Sequence, residues 1–177
     1  MNLYDLAIAR KLSGGGGGGG SADLKGLIEG SIVNLVVPDG TTKLKDNIFT
    51  SCPDLETITL PTSLISIGMT AFNANSKLTS LVVPEGVTTI DTNFCYNCTG
   101  LKSVELPSTL VSVGNYFCRG ANIASLTCKM TTPPTLGNNP WYQATIGAIY
   151  VPAASVAAYK AKPGWAQQAS IIQAIPE

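Results

Sequence analysis

The chain has 177 residues, and its 11 basic and 11 acidic side chains give a formal net charge of zero. Charged residues make up only 12% of the sequence, about half of the roughly 25% that is typical of soluble domains. Histidine is absent, which excludes Ser–His and Cys–His nucleophile pairs, a histidine general base and every metal site that contains histidine. The neutral charge also argues against a basic stripe that would bind the phosphates of a nucleic acid.

The sequence shows neither a membrane span nor a removable leader. No stretch approaches the roughly 18 consecutive apolar residues that cross a bilayer. At the N-terminus, Asp5 interrupts the first apolar residues, and Arg10 and Lys11 follow them instead of preceding them, which is the reverse of a signal peptide. We therefore expect no membrane span, and any export to use another route.

The N-terminal segment 1–20 differs in character from the remainder. In residues 2–12, Tyr4, Ile8 and Leu12 recur at the spacing of one helix face, and Asn2 is placed to cap the helix. Seven consecutive glycines, residues 14–20, follow and have no side chain to pack. Two interpretations stay open: a short docking helix (1–12) on a polyglycine linker (13–22), or a disordered tail without a role.

An internal repeat dominates the remaining sequence. Pro38, Pro61, Pro84 and Pro107 recur at a constant interval of 23 positions, a one-residue deletion brings the same register to Lys129, and one further interval leads to Pro152. Apolar residues occupy fixed columns in this register. One position before the anchor stand Val37, Leu60, Val83, Leu106, Cys128 and Val151; three before it Leu35, Ile58, Leu81, Val104, Leu126 and Ile149; six after it Leu44, Ile67, Ile90 and Val113; and further on Phe49, Phe72, Phe94 and Phe117.

The repeat predicts a solenoid. Residues 55–60 alternate apolar and polar side chains, which is typical of a short strand with one buried face, and proline ends such a strand because it has no N–H for the ladder. A single 23-residue turn cannot bury its own apolar side chains, whereas stacked turns form continuous apolar columns. The predicted architecture is a β-rich solenoid of about five coils over residues 23–152.

Both ends of an open stack need covering. Residues 153–162 are rich in alanine and predict a short helix that Pro163 and Gly164 terminate. The last coil would be covered by Trp165, Ile171, Ile172 and Ile175 in a C-terminal cap over residues 153–177. At the other end, Leu24, Leu27 and Ile28 are placed to cover the first coil.

The pattern Leu55-x-x-Ile58-x-Leu60-Pro61-x-x-Leu64-x-x-Ile67-Gly68-x-x-Ala71-Phe72 resembles the BspA-like leucine-rich repeat, and the resemblance extends over residues 32–175. The closing Ile149-Tyr150-Val151-Pro152, with Val156, Tyr159 and Trp165, is similar to the C-terminal cap of that family. Two features depart from the pattern. Phe94 and Phe117 stand one residue early, with Cys95 and Cys118 in the usual aromatic position, and residues 129–146 are irregular.

The resemblance implies an α/β leucine-rich-repeat-like right-handed coil with short parallel strands and short capping helices. It also implies a non-enzymatic bacterial protein, on the cell surface or secreted, that binds a protein or a cell-surface glycan. The N-terminal residues 2–20 are in addition similar to N-termini of phage and prophage tail-associated proteins, which implies a virion location instead.

The five cysteines are 52, 95, 98, 118 and 128, an odd number that a fully paired framework cannot use. Cys95 and Cys98 have the CxxC spacing of a zinc or redox site, but Cys118 and Cys128 are separated too widely for a zinc ribbon. The repeat register places all five in core columns as small apolar side chains. A disulfide between Cys95 and Cys118 stays open, because adjacent coils would bring their α-carbons to about 4.8 Å.

The outward side of the strand ladder is the candidate binding surface. Its two columns contain Thr57, Ser80, Ser103 and Ser125, and Thr59, Val82, Glu105, Thr127 and Tyr150. Short hydroxyl side chains make a flat surface with few charges, and solenoids bind partners through such surfaces. Tyr150 is of interest because aromatic residues are enriched in binding hot spots. The alternative is that Thr and Ser are there because they form soluble strands.

We expect no catalytic residues, cofactor or metal. Glu56, Asp91 and Glu105 lie on different coils, and none has a second acid at a defined spacing. The leading hypothesis is therefore a recognition or adhesion module. The competing hypothesis is a structural component, a spacer or cap of a larger assembly such as a phage tail appendage, attached through residues 1–12.

Overall fold

The computed structural model describes residues 33–177. The predicted N-terminal helix, the polyglycine linker, and Leu24, Leu27 and Ile28 lie outside the described residues. Within the described part, the chain winds through stacked coils, and each coil has a strand side, a second-sheet side and a turn side. The predicted solenoid of short parallel strands is confirmed.

The strand side carries the predicted ladder, and its strands pair in parallel. In chain order it contains β1 (Asn34–Val36), β3 (Thr57–Thr59), β5 (Ser80–Val82), β7 (Ser103–Leu106), β9 (Asn122–Cys128), β11 (Thr145–Val151) and β12 (Ile172–Ala174). Glu105 pairs with Thr127, one position short of the regular interval, so the predicted one-residue deletion is confirmed. The strand β12 was not predicted, because residues 172–174 lie within the predicted cap and Ile175 stands at the anchor position of their register.

The ladder is interrupted at one place. β1 and β3 form a two-stranded sheet, and β5, β7, β9, β11 and β12 form a five-stranded sheet. Between them, the backbone N–H of Thr79 donates to the carbonyl oxygen of Glu56 at 3.1 Å, but regular pairing is absent. The inward side chains Ile58 and Leu60 of this coil are half-buried, whereas their counterparts in the next coil, Leu81 and Val83, are buried. The predicted single ladder is therefore corrected to two sheets.

A second parallel sheet, which the repeat pattern does not predict, lies on the next side of each coil. It is built from two-residue strands: β2 (Lys43–Leu44), β4 (Ser66–Ile67), β6 (Thr89–Ile90), β8 (Ser112–Val113) and β10 (Thr135–Leu136). The apolar residue of the first four strands is buried, which agrees with the predicted column. Gly68 directly follows β4. A side chain would not fit there, because its Cβ would lie 2.7 Å from the backbone nitrogen of Asp46.

The turn side of each coil depends on left-handed backbone. Two positions per coil have positive φ angles of 50° to 66°: the first are Asn47, Thr70, Asn93, Tyr116 and Asn139, and the second are Ser51, Ala74, Asn97, Gly120 and Gln143. Non-glycine residues rarely adopt this conformation. Hydrogen bonds between successive coils offset the cost of this left-handed backbone. The N–H of Phe72 donates to the carbonyl of Phe94, and the N–H of Cys95 donates to the carbonyl of Phe117.

A stack of aromatic rings runs through the core behind the turn side. Ring centroids lie 5.7 Å apart for Phe49 and Phe72, 5.3 Å for Phe72 and Phe94, and 5.6 Å for Phe94 and Phe117. Phe94 and Phe117, which stand one residue early in the sequence repeat, have exchanged positions with a small neighbouring side chain. Phe94 lies one repeat interval after Ala71, and Cys95 lies one interval after Phe72, so a small and a large side chain trade places and the total volume is kept.

One polar side chain, Asn75, is fully buried in this core. Its Nδ2 donates to the carbonyl oxygens of Phe49 and Phe72, both at 2.9 Å, and its Oδ1 accepts the backbone N–H of Cys52 at 2.8 Å. The amide thereby satisfies backbone groups of two coils, as buried polar groups require. In the next coil the Cys98 thiol occupies this column and donates to the same Phe72 carbonyl.

The C-terminal cap consists of a 3-10 helix (Ala153–Ser155), the helix α1 (Val156–Ala161), a second 3-10 helix (Ala166–Ile171) and β12. Tyr159 and Trp165 are fully buried, and the Trp141 ring lies 5.3 Å from Trp165, which extends the ring stack into the cap. The cap is fastened to residues 130–134: Tyr159 Oη donates to the carbonyl of Met130, and Trp165 Nε1 to that of Pro134. The irregular segment is thus the part of the solenoid against which the cap packs.

Candidate binding surfaces

We use "strand face" for the nine predicted residues on the outward side of the strand ladder: Thr57, Thr59, Ser80, Val82, Ser103, Glu105, Ser125, Thr127 and Tyr150. The structure brings seven of them together in the five-stranded sheet, where Ser80, Ser103 and Ser125 pair in one column, and Val82, Glu105, Thr127 and Tyr150 in the next. Thr57 and Thr59 lie apart from these seven, in the sheet of β1 and β3.

The strand face is nearly neutral, and backbone pairing holds seven of its nine residues in register. Its one carboxylate, Glu105 Oε2, lies 3.0 Å from Lys129 Nζ, and both side chains are about half accessible. Val82 is 50% exposed and contributes an apolar patch beside the serines. The ion pair leaves no net charge at the centre of this face, so hydroxyl groups, the Val82 side chain and the Tyr150 ring are its main contact groups.

The acidic residues considered for catalysis stay apart. Asp91 Oδ1 accepts the backbone N–H of Thr92 at 2.7 Å, which is a local turn contact. Glu105 is paired with a lysine, and Glu56 is exposed just before β3. Among residues 33–177 no three Cys, Asp or Glu side chains are grouped so that they could hold a metal ion. In the same range no helix is long and apolar enough to cross a bilayer.

A shallow groove of about 330 Å³ runs across the second sheet. Its lining combines short hydroxyl side chains and glycines with three charged residues: Lys43, Asp46, Ser66, Ile67, Gly68, Thr89, Ile90, Asp91, Ser112, Val113 and Gly114. Asp46 Oδ1 accepts the backbone N–H of Met69 at 2.9 Å, so this carboxylate is engaged in joining two coils.

The described part of the chain contains all five cysteines and no disulfide, and Cys95, Cys98, Cys118 and Cys128 are fully buried. The thiols of Cys95 and Cys118, which the register left open as a disulfide, each donate to a carbonyl of the following coil, Phe117 and Pro140, at 3.5 Å. Burial raises the pKa of Cys98 to about 12 and also raises the pKa of Cys95, Cys118 and Cys128 well above the ordinary value. Such protonated thiols react slowly.

We expect five titratable thiols per chain when the protein reacts with an aromatic disulfide reagent in guanidinium chloride. The folded protein should show at most one reactive thiol at pH 8, since four are buried and stay protonated. Cys52→Ala is the control, with four thiols in denaturant and none in the folded state. Three thiols in denaturant would instead show one disulfide, and peptide mapping would then test whether it joins Cys95 and Cys118.

The same burial makes stability depend on alkaline pH. Unfolded thiols ionise above their ordinary pKa of 9.0, whereas the four buried ones keep their protons to higher pH because burial raises their pKa. Above pH 9 the unfolded state therefore binds fewer protons, and the free energy of unfolding falls as the pH rises.

A cluster of three tyrosines around one arginine lies on the turn side, and the sequence analysis missed it. Tyr96, Arg119 and Tyr142 follow one another at the repeat interval, so they stack in one column, and Tyr116 precedes Arg119 by one turn. The guanidinium carbon lies 5.0 Å, 5.5 Å and 5.1 Å from the ring centroids of Tyr96, Tyr116 and Tyr142. The repeat interval could have predicted this column, because it places Tyr96, Arg119 and Tyr142 at the same position of successive coils.

The strand order, the regular coil period and the apolar columns define a leucine-rich-repeat solenoid. The family description "BspA type Leucine rich repeat region" matches the chain in six copies over residues 28–144, which is more than half of its length. The chain belongs to the BspA-type leucine-rich repeat family. A comparison with curated proteins gives no match.

Proposed function

We propose that the chain is a non-enzymatic recognition module that uses the strand face to bind a protein or glycan on a cell surface. The observation that carries this proposal is the strand face itself: seven of its residues are held in register by backbone pairing, and its one carboxylate is neutralised by Lys129. Such a surface is preorganised, so binding costs little conformational entropy. Family membership supports the proposal because leucine-rich repeats are typically binding domains.

Arginine substitutions on two sides of neighbouring coils test which surface binds. Ser103→Arg places a long charged side chain at the centre of the strand face, whereas Thr89→Arg places one on the second sheet. We expect Ser103→Arg to weaken binding of the labelled full-length chain to cultured cells and to immobilised matrix proteins by at least about tenfold, the equivalent of about 1.4 kcal/mol. Thr89→Arg should stay within about twofold of wild type, and both variants should melt like wild type. Equal binding by wild type and Ser103→Arg would refute the strand face as the binding site.

The alternative, a structural component of a larger assembly, is separated by deletion of residues 1–20. If the solenoid recognises its target, the chain 21–177 should bind cells and matrix proteins as strongly as the full chain. If residues 1–12 attach the solenoid to a particle, sedimentation should show that the deletion abolishes incorporation into that particle. Loss of cell binding on deletion would contradict the recognition proposal.

A further inference from the structure

The tyrosine–arginine cluster, composed of Tyr96, Tyr116, Arg119 and Tyr142, contains a positive charge without a counterion. Among residues 33–177 the ion pairs are Lys77 with Asp54 and Lys129 with Glu105, and neither involves Arg119. The Arg119 Nε atom is buried without a hydrogen-bond partner in the described part of the chain. The side chain is half-buried, so a largely desolvated guanidinium stands at the surface with unused donors.

Three tyrosine rings surround the guanidinium. Their centroids lie 5.0 to 5.5 Å from its central carbon, within the range of cation–π contacts, and these contacts hold the cation in place. Since Nε is buried, the two terminal nitrogens are the donors that remain for a partner. A planar guanidinium edge matches a carboxylate through two parallel hydrogen bonds, and the apolar surroundings strengthen that pairing.

The cluster is rigidly mounted on the turn side. Tyr116 occupies one of the left-handed positions, with a φ of 53°. The backbone N–H of Arg119 donates to the Tyr116 carbonyl, and the N–H of Asn97 donates to the Arg119 carbonyl at 2.9 Å. Tyr142 is 48% exposed and Tyr116 lies 6.4 Å from it, ring to ring. Little side-chain entropy is left to lose on binding.

We propose that the tyrosine–arginine cluster is a binding hot spot for an Asp or Glu side chain of a partner protein, with the carboxylate on the edge of Arg119 and the Tyr142 ring packed beside it. The inference rests on the proposed recognition function and adds a second contact surface to it. Tyrosine and arginine are among the residue types most enriched in protein–protein hot spots. The cluster carries a single positive charge, so it fits one carboxylate and not a polyanion such as a nucleic acid.

A protein partner is favoured over a glycan because of the composition of the cluster. The three rings already contact Arg119, so their inner faces are not available for a sugar ring to stack on. The single cation favours one carboxylate over an uncharged hydroxyl-rich surface, and the combination of tyrosine and arginine is typical of protein–protein hot spots.

The test is selection of a phage-displayed library of random dodecapeptides on the wild-type full chain, after depletion on Arg119→Gln. This variant keeps most of the stem inside the three rings and removes the charge. We expect the selected peptides to share an acidic position. Its replacement by Asn or Gln, or use of Arg119→Gln in place of wild type, should weaken binding at least about tenfold, as for a charge-assisted bidentate pair. Arg119→Lys should rescue binding only in part.

Lys160→Ala, an exposed cap residue, is the matched control and should bind like wild type. Thermal melting shows whether each variant is folded. Tyr142→Ala is a second variant of the same site, and it keeps the positive charge of Arg119. Peptides that bind Arg119→Gln as well as wild type, or the absence of enrichment after depletion, would overturn the hot spot. Arg119-dependent binding of biotinylated glucuronate-containing or sialylated glycans, without any acidic peptide, would overturn the choice of a protein partner. The proposed function fails separately, through the Ser103→Arg test.

Discussion

A chain that ends at Val151 is expected to aggregate, whereas the full chain stays monomeric at the same concentration. The truncation removes β12, which pairs with β11 through Ile149, Tyr150 and Val151, and leaves that edge without its partner. It also removes the Tyr159 and Trp165 rings, which are fully buried against the last coil. An open strand edge next to newly exposed apolar surface promotes association between chains.

Light scattering during size-exclusion chromatography measures this outcome. A chain that ends at Ile175 is the matched control, because it keeps β12 and the hydrogen bond from the Ile175 N–H to the Val151 carbonyl. We expect this control to elute as the full chain does. A soluble monomer of residues 1–151 would refute the assignment of residues 153–177 as the cap.

Phe94→Ala is expected to lower the free energy of unfolding by about 3–5 kcal/mol, the range for removing a buried phenylalanine side chain. The Phe94 ring is fully buried in the middle of the stack and contacts Phe72 on one side and Phe117 on the other. Its loss leaves a cavity between two coils and breaks two ring contacts, each worth about 0.5–1.5 kcal/mol beyond area burial. The melting temperature should fall by about 10 °C.

Denaturation by urea, followed by circular dichroism, gives the free energy of unfolding for comparison with thermal melting. Val111→Ala is the control, since Val111 is 64% exposed and its truncation should change stability by less than about 0.5 kcal/mol. Phe94→Leu, which keeps most of the volume, should lose less than Phe94→Ala. If Phe94→Ala melted like Val111→Ala, the ring stack would not be a main source of stability.

The strand side shows which structural features a repeat register can predict. Counting from the anchor prolines placed Leu35, Leu81 and Val104 inward and Ser80 and Ser103 outward, and the structure agrees at each of these positions. Alternation within a short strand determines which side chains face the core, and a fixed period carries that assignment from coil to coil. The candidate surface could therefore be named residue by residue without coordinates.

The second sheet and the turn side were not predictable to the same degree. A two-residue strand such as Ser66–Ile67 is too short for alternation to be visible. Left-handed positions occupied by Thr70, Ala74 and Tyr116 violate local preference, and hydrogen bonds from neighbouring coils stabilise them. The interruption between β3 and β5 likewise has no counterpart in the repeat columns.

The sequence by itself determined the coil period, the residues that form the apolar columns, the cap and the family, because each of these follows from a regular spacing along one chain. It also explained the scarcity of charge, since so many positions of every coil face the core. The tertiary structure alone decided where the ladder divides and how the Phe94 ring packs against Phe72 although it lies in the column of Ala71. The register aligns Tyr96, Arg119 and Tyr142, and the tertiary structure decided that all three tyrosine rings come within reach of the Arg119 guanidinium. These features depend on contacts between coils, whose geometry is set by packing and not by any local preference of the residues involved.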